Sequence, residues 1–322
     1  MQGSVAGLPN LLLYTNNLKC FNLYSSPIGA DILGCLVQLF KSQLLDLHVT
    51  IGHDDTALQL ALVGRFLTLR HLGLDVYPFE DGIRLADADV PPFEMPMLHS
   101  LEFNCLAGEG WKELMKFVGR GHFPALEILI LEVDISIRSR RQSRMGQTLR
   151  PLLENVGQRL RYLDLSISEA NDAAQVIFPL LTTVQEISVL LVPASLNIGS
   201  CIPTSTMKVN LQLDRDWTQL QHSLFRFLDD LHSNAKQSPL LRVVQLLGRT
   251  SMPFLWRTIL STHATTAEQL IIRSVTLQED GIQLQDQSGE SYHNETSALV
   301  DREQDSTFTR QLRPVAIGKS NK

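Results

Sequence analysis

The feature that most constrains this chain is a recurring triplet, apolar–x–x–apolar–x–apolar. Its members are Leu18/Phe21/Leu23, Leu44/Leu47/Val49, Leu69/Leu72/Leu74, Leu98/Leu101/Phe103 and Leu126/Leu129/Leu131. Leu160/Leu163/Leu165, Val184/Ile187/Val189, Lys208/Leu211/Leu213, Leu241/Val244/Leu246 and Ala267/Leu270/Ile272 follow. Successive first positions lie 24 to 34 residues apart. Chance alone scatters triplets through so apolar a chain, so their number is not the argument. The even spacing is, because it falls mostly in the range of leucine-rich repeats. A proline also recurs two residues before the first slot, at Pro96, Pro124 and Pro239. Proline suits a strand entrance, where its missing N–H costs no ladder bond.

Between the triplets, apolar residues recur at helical spacing over 31–41, 54–66, 110–118, 142–156, 171–181 and 216–233. Asp216 with Gln219 three residues later reads as an N-terminal capping box. A strand, then a helix, ten times over, predicts an α/β fold: a curved leucine-rich-repeat solenoid with parallel strands on the concave side and helices on the convex side. About ten degenerate repeats would fill residues 1–277. From 278 to 322 the pattern stops and Gln, Ser, Asp and Glu dominate. Such a tail buries too little apolar surface to offset ordering entropy and is expected to be disordered.

At Phe123-Pro124-Ala125-Leu126-Glu127-Ile128-Leu129-Ile130-Leu131 the chain resembles the leucine-rich-repeat regions of fungal F-box proteins, over roughly residues 8–277. The resemblance implies a ribonuclease-inhibitor-like horseshoe that captures a substrate for a Skp–cullin–F-box ubiquitin ligase. An F-box would open near Leu-Pro, but Leu8-Pro9-Asn10-Leu11 runs straight into the first repeat. The chain therefore resembles the repeat portion, and a Skp adaptor is expected only if an F-box is supplied elsewhere. A free-standing scaffold or inhibitor on the same repeats is the alternative, and a GTPase activator a lesser one.

Charge and motifs narrow the function. A formal charge of −6 does not suit a sequence-independent nucleic-acid binder. No apolar run approaches the roughly 20 residues of a membrane span. Met1–Gly7 lacks the charged start of a secretory signal, and Cys20, Cys35, Cys105 and Cys201 form no C-x-x-C pair. A cytoplasmic or nuclear protein, without metal or cofactor, is expected. Phosphate-cradling, nucleophile-elbow and zincin motifs do not occur, so no enzyme is indicated. His48, His53, Asp54 and Asp55 cluster in sequence, but an aspartate here reads better as a helix cap than as a metal ligand. Arg138, Arg140, Arg141 and Arg144 form the one cluster suited to a phosphate or other anion, against the plainer reading of a solvated loop.

Strand alternation predicts the binding face. The third, fifth and seventh slots carry Asp46, His48, His71, Asp75, Glu102, Ile128, Ile130, Glu132, Tyr162, Asp164 and Glu186 among others, with Asp214, Gln269, Ile271 and Arg273 at the far end. Acids on strands about 4.8 Å apart would repel by about 0.9 kcal/mol even in bulk water. A surface that keeps them suits a protein partner with basic or mixed polar–apolar character.

Overall fold

A computed structural model describes residues 8–52, 56–76, 91–106, 109–134, 145–167, 170–191, 198–213, 217–248 and 252–292. Among the described residues, ten strands form one sheet in which every strand lies beside its neighbours in sequence. They are β1 (Cys20–Pro27), β2 (Asp46–Ile51), β3 (His71–Val76), β4 (Ser100–Leu106) and β5 (Ile128–Asp134), then β6 (Tyr162–Ile167), β7 (Glu186–Leu191), β8 (Lys208–Leu213), β9 (Val243–Gly248) and β10 (Gln283–Gln285). All nine pairings are parallel. Parallel neighbours need a crossover. Most crossovers are helical: α2 (Ala30–Phe40), α3 (Thr56–Val63), α4 (Glu109–Gly119), α5 (Met145–Val156), α6 (Ala170–Ile177) and α7 (Gln221–Ser233). A short α1 (Leu8–Leu13) precedes β1, and both α8 (Trp256–Thr262) and α9 (Ala264–Glu279) separate β9 from β10. The protein is thus a solenoid-like α/β chain built on one parallel sheet.

The repeat is visible in the backbone as well as the side chains. The Lys19 carbonyl accepts N–H bonds from both Leu45 and Asp46, and the Leu45 carbonyl from both Arg70 and His71. Arg70, His99, Glu127, Arg161, Gln185 and Met207 continue the series, each receiving two donors from the repeat that follows. This forked bond seats each strand on the one before it. A second device recurs one residue ahead of the first slot: Thr68, Thr183 and Ser205 donate hydroxyl bonds to the carbonyls of Leu44, Leu160 and Val184.

The core lies between the sheet and its helices. Leu47, Val49, Leu72, Leu74, Leu101, Phe103, Leu129, Leu131, Leu163 and Leu165 are buried in one continuous cluster with Leu33, Leu36, Leu60, Leu152 and Leu224 from the helices. In α2 the buried residues Ile32, Leu33, Leu36, Val37 and Phe40 make one stripe, as a 3.6-residue period requires. Gly119 lets α4 and α5 approach closely, since a Cβ there would meet the backbone nitrogen of Leu152 at 3.0 Å. Asn155 of α5 fastens that contact by donating to the carbonyls of Gly119 and Gly121.

Four sequence expectations change. Ala267/Leu270/Ile272 is not a strand but part of α9, whose buried Ala267, Leu270, Ser274 and Leu277 keep helical spacing. The triplet's i, i+3 pair fits a helix as well as a strand. The tenth strand is instead β10, where Gln283, Leu284 and Gln285 pair with Val243, Val244 and Gln245. A boundary at 277 therefore falls within α9, and chain expected to be a disordered tail is packed as far as Tyr292; residues 293–322 lie outside the described residues.

In β8 the expected register slips by two. Val209 lies opposite Ile187 and Val244, which makes Thr206 the first slot and turns Lys208 away from the core. The prolines, finally, do not enter strands. Pro96, Pro124 and Pro239 open turns closed by N–H bonds from Leu98 to Met95, Leu126 to Phe123 and Leu241 to Ser238. Proline's fixed φ suits the second position of such a turn. Asp216 of the expected capping box lies outside the described residues, and α7 follows a 3-10 turn over Trp217–Leu220 instead.

Candidate functional site: the open face of the sheet

The side of the sheet away from the helices carries three rows of aligned side chains. The first runs Cys20, Asp46, His71, Ser100, Ile128, Tyr162, Glu186, Lys208 and Val243. The second runs Asn22, His48, Gly73, Glu102, Ile130, Asp164, Ser188, Asn210 and Gln245. The third passes through Thr50, Asp75, Asn104, Glu132 and Ser166. Of the residues expected on the binding face, the eleven from Asp46 to Glu186 named above share this surface. Arg138, Arg140, Arg141 and Arg144 lie outside the described residues, as does Asp214.

The carboxylates do not face one another. Asp75 lies opposite Thr50 and Asn104, Glu102 opposite Gly73 and Ile130, and Glu132 opposite Asn104 and Ser166. Asp164 lies opposite Ile130 and Ser188, and Glu186 opposite Tyr162 and Lys208. The expected repulsion at one strand spacing is therefore corrected: the acids alternate between rows, and a neutral or cationic group stands beside each. Lys208, first read as an inward residue, pairs with Glu186 at 3.3 Å. The alternation of Val209, Leu211 and Leu213 was the signal that would have placed it. Gln269, Ile271 and Arg273 leave the face altogether. They lie in α9, where Arg273 sits over the Phe225 ring at 4.3 Å and pairs with Asp229.

Two polar networks flank a pair of isoleucines. In the first, His48 Nε2 lies 3.0 Å from Asp75 Oδ1, and Asn104 donates to the same oxygen at 2.9 Å and to Glu102 at 3.2 Å. Tyr24 packs on the His48 ring with centroids 4.6 Å apart. A Cβ at position 73 would collide with the His48 ring, so glycine leaves room for the imidazole. Asp75 thus holds the His48 ring through Nε2, and the ring lies over the space that a side chain at position 73 would fill.

The second network centres on Asp164. Ser166 donates to its Oδ1 at 2.8 Å, Tyr162 to its Oδ2 at 3.3 Å, and Gln212 to its Oδ2 at 3.1 Å. Gln212 also donates to Ser188 at 2.7 Å, and Asn210 to Glu186 at 2.6 Å. Burial pushes the Asp164 carboxyl above the usual range, against the lowering effect of Ser166, Ser188, Tyr162 and Gln212. Burial also raises the Tyr162 phenol, reinforced by the neighbouring Asp164 charge. Between the networks, Ile128 and Ile130 lie half-buried on β5, with Glu132 exposed beside them.

A separate cleft of about 420 Å³ opens at the strand entrances, lined in part by Glu127, Arg159, Arg161 and Gln185. Its Arg161–Glu127 pair spans 3.4 Å between largely exposed side chains, and such pairs contribute about 1 kcal/mol or less. Among the described residues, no group of three or more His, Cys, Asp or Glu side chains is placed to hold a metal. No helix among them is long and apolar enough to cross a membrane. No protein-family model and no curated protein matches the chain.

Proposed function

We propose that the chain is a non-catalytic, protein-binding leucine-rich-repeat solenoid whose open sheet face takes a partner of basic or mixed polar–apolar surface. In a ribonuclease-inhibitor-like horseshoe this face is the concave one. The observation that carries the reading is the arrangement around β5: Ile128 and Ile130 flanked by Glu102, Glu132 and Asp164. Half-buried isoleucines supply a centre that a partner can desolvate, and surrounding carboxylates steer a cation to it. Asp164 strengthens the argument. The partners named for it are all neutral, so its burial cost is offset only in part until a cation approaches. As a substrate receptor in ubiquitination, the chain would present this face to a target and reach a Skp adaptor through an F-box supplied elsewhere.

Fluorescence anisotropy with labelled peptides tests the reading. Peptides that combine lysine or arginine with leucine should bind, and binding should weaken with salt. The double variant E102K/E132K should weaken it by about tenfold or more without changing the circular dichroism spectrum. Asp164 is unsuitable for charge reversal, because its network would be lost with it. Equal affinity for acidic and basic peptides would sink the reading. In calorimetry with a Skp adaptor, this chain by itself should show no binding.

A further inference from the structure

The open face is charged one way. Its rows carry Asp46, Asp75, Glu102, Glu132, Asp164 and Glu186, and among the described residues Lys208 is the one lysine or arginine in them. The sequence that follows Tyr292 is charged in two halves. Residues 293–305 hold Glu295, Asp301, Glu303 and Asp305 against Arg302. Residues 306–322 hold Arg310, Arg313, Lys319 and Lys322 and no acid, interleaved with Phe308, Leu312, Val315 and Ile317. The second half therefore has the basic, mixed polar–apolar chemistry that suits the face, and the first half is repelled by it.

We infer that residues 306–322 dock across the open face of their own chain, over β6, β5 and β4, and that an outside partner must displace them. The inference rests on the reading of that face as a protein-binding surface and adds what regulates it. Spacing supports the match. All four basic residues fall at multiples of three from Arg310. Arg313 precedes Pro314, which favours an extended or polyproline-type backbone. In a polyproline-type chain, side chains three apart fall on one side at about 9.3 Å. Two strand spacings are about 9.6 Å. Glu102 and Asp164 stand in one row on β4 and β6, with Ile130 between them on β5. A chain that comes from the β10 side reaches β6 before β4. Arg310 is thus assigned to Asp164 and Arg313 to Glu102, with Leu312 beside them over Ile130. A guanidinium at Asp164 offsets the burial cost that its neutral partners leave.

Reach permits the contact. Tyr292 is held at the β10 end by its packing on Trp256. β6 lies four strand spacings from β10, about 19 Å. A linker of 17 residues, as 293–309 would be, extends to about 56 Å at most and has a root-mean-square span of about 20–25 Å. A span that matches the distance gives the highest effective concentration, about 1 mM. A segment that binds in trans at about 100 µM would then hold its own face about ten to one.

Fluorescence anisotropy with a labelled peptide of residues 306–322, added to the full chain, provides the test. The full-chain variant R310E/R313E should bind that peptide about tenfold more tightly than wild type, because its own segment no longer competes. Adding E102K/E132K to that variant should abolish the binding, with the circular dichroism spectrum the same throughout. Sedimentation equilibrium should give 36.1 kDa at every concentration used. A mass that doubles with concentration would place the segment on a second copy and overturn the contact within one chain. A wild type that binds the peptide as tightly as R310E/R313E would overturn the proposal while leaving the face a binding surface. So would a peptide that fails to bind R310E/R313E where other arginine–leucine peptides succeed. If no basic peptide binds R310E/R313E, the reading of the face falls and this proposal with it.

Discussion

Asp286 holds the β10 end of the solenoid shut, and its removal should cost more than any single surface change. The side chain is 1% exposed and stands where internal repeats place a leucine, valine or phenylalanine. Its Oδ1 accepts from the Ser288 N–H at 2.9 Å, the Ser288 hydroxyl at 2.6 Å and the Glu290 N–H at 3.0 Å. Its Oδ2 accepts from the Trp256 N–H at 3.1 Å, joining the segment to the first turn of α8. Bonds to a charged group contribute about 1.5–3 kcal/mol each, but four of them cannot all be counted. Once the segment peels away, its N–H groups find water. The ceiling is the cost of exposing Ile282 and Leu284, about 1.5–3 kcal/mol apiece. Asp286→Ala should therefore destabilise this end by about 3–5 kcal/mol. Urea unfolding followed by circular dichroism would measure the loss. Hydrogen exchange should place it, with faster exchange over 283–292 and little change at β3–β5. Asp286→Asn should be milder, because its remaining oxygen can still accept at the Oδ1 position while its amide opposes the Trp256 N–H. A loss under about 1 kcal/mol with unchanged exchange would refute the assignment of 283–292 as a cap.

Other perturbations follow from the same packing. Leu129→Ala and Leu163→Ala, each at a fully buried inward position, should cost about 2–5 kcal/mol in denaturant unfolding, and a loss under half a kilocalorie, about 0.5 kcal/mol, would place them outside the core. Gly73→Ala should destabilise by about 1–3 kcal/mol through collision with His48, and His48→Ala in the same chain should recover most of that; an additive double mutant would break the argument. The folded-state pKa of Asp164 lies above its unfolded value, so the folded state holds the proton more tightly. Wild type should accordingly lose stability relative to Asp164→Asn as pH rises from the unfolded carboxylate pKa through the raised one, with the gap constant below that window; urea midpoints from acid to neutral pH would show it.

The sequence by itself determined the repeat, the strand-to-helix order and which side of each strand faces solvent. These are local properties. A strand alternates with period 2, so a register error of two residues in β8 still left Asn210 and Gln212 on the correct face. Of the end positions, Lys208 was missed, and Asp214 lies outside the described residues. What the tertiary structure decided is which residues stand side by side. The staggering of Asp75, Glu102, Glu132 and Asp164 between rows depends on cross-strand register, set by forked backbone bonds such as those to Glu127 and Arg161. The neutral setting of Asp164 joins Tyr162 and Ser166 on its own strand to Gln212, 48 residues on and two strands away. The last strand escaped detection because a buried carboxylate, not a leucine, anchors it, and apolar periodicity is blind to a polar anchor. Pattern reports which groups must leave water; it takes the folded backbone to say which polar groups meet when they do.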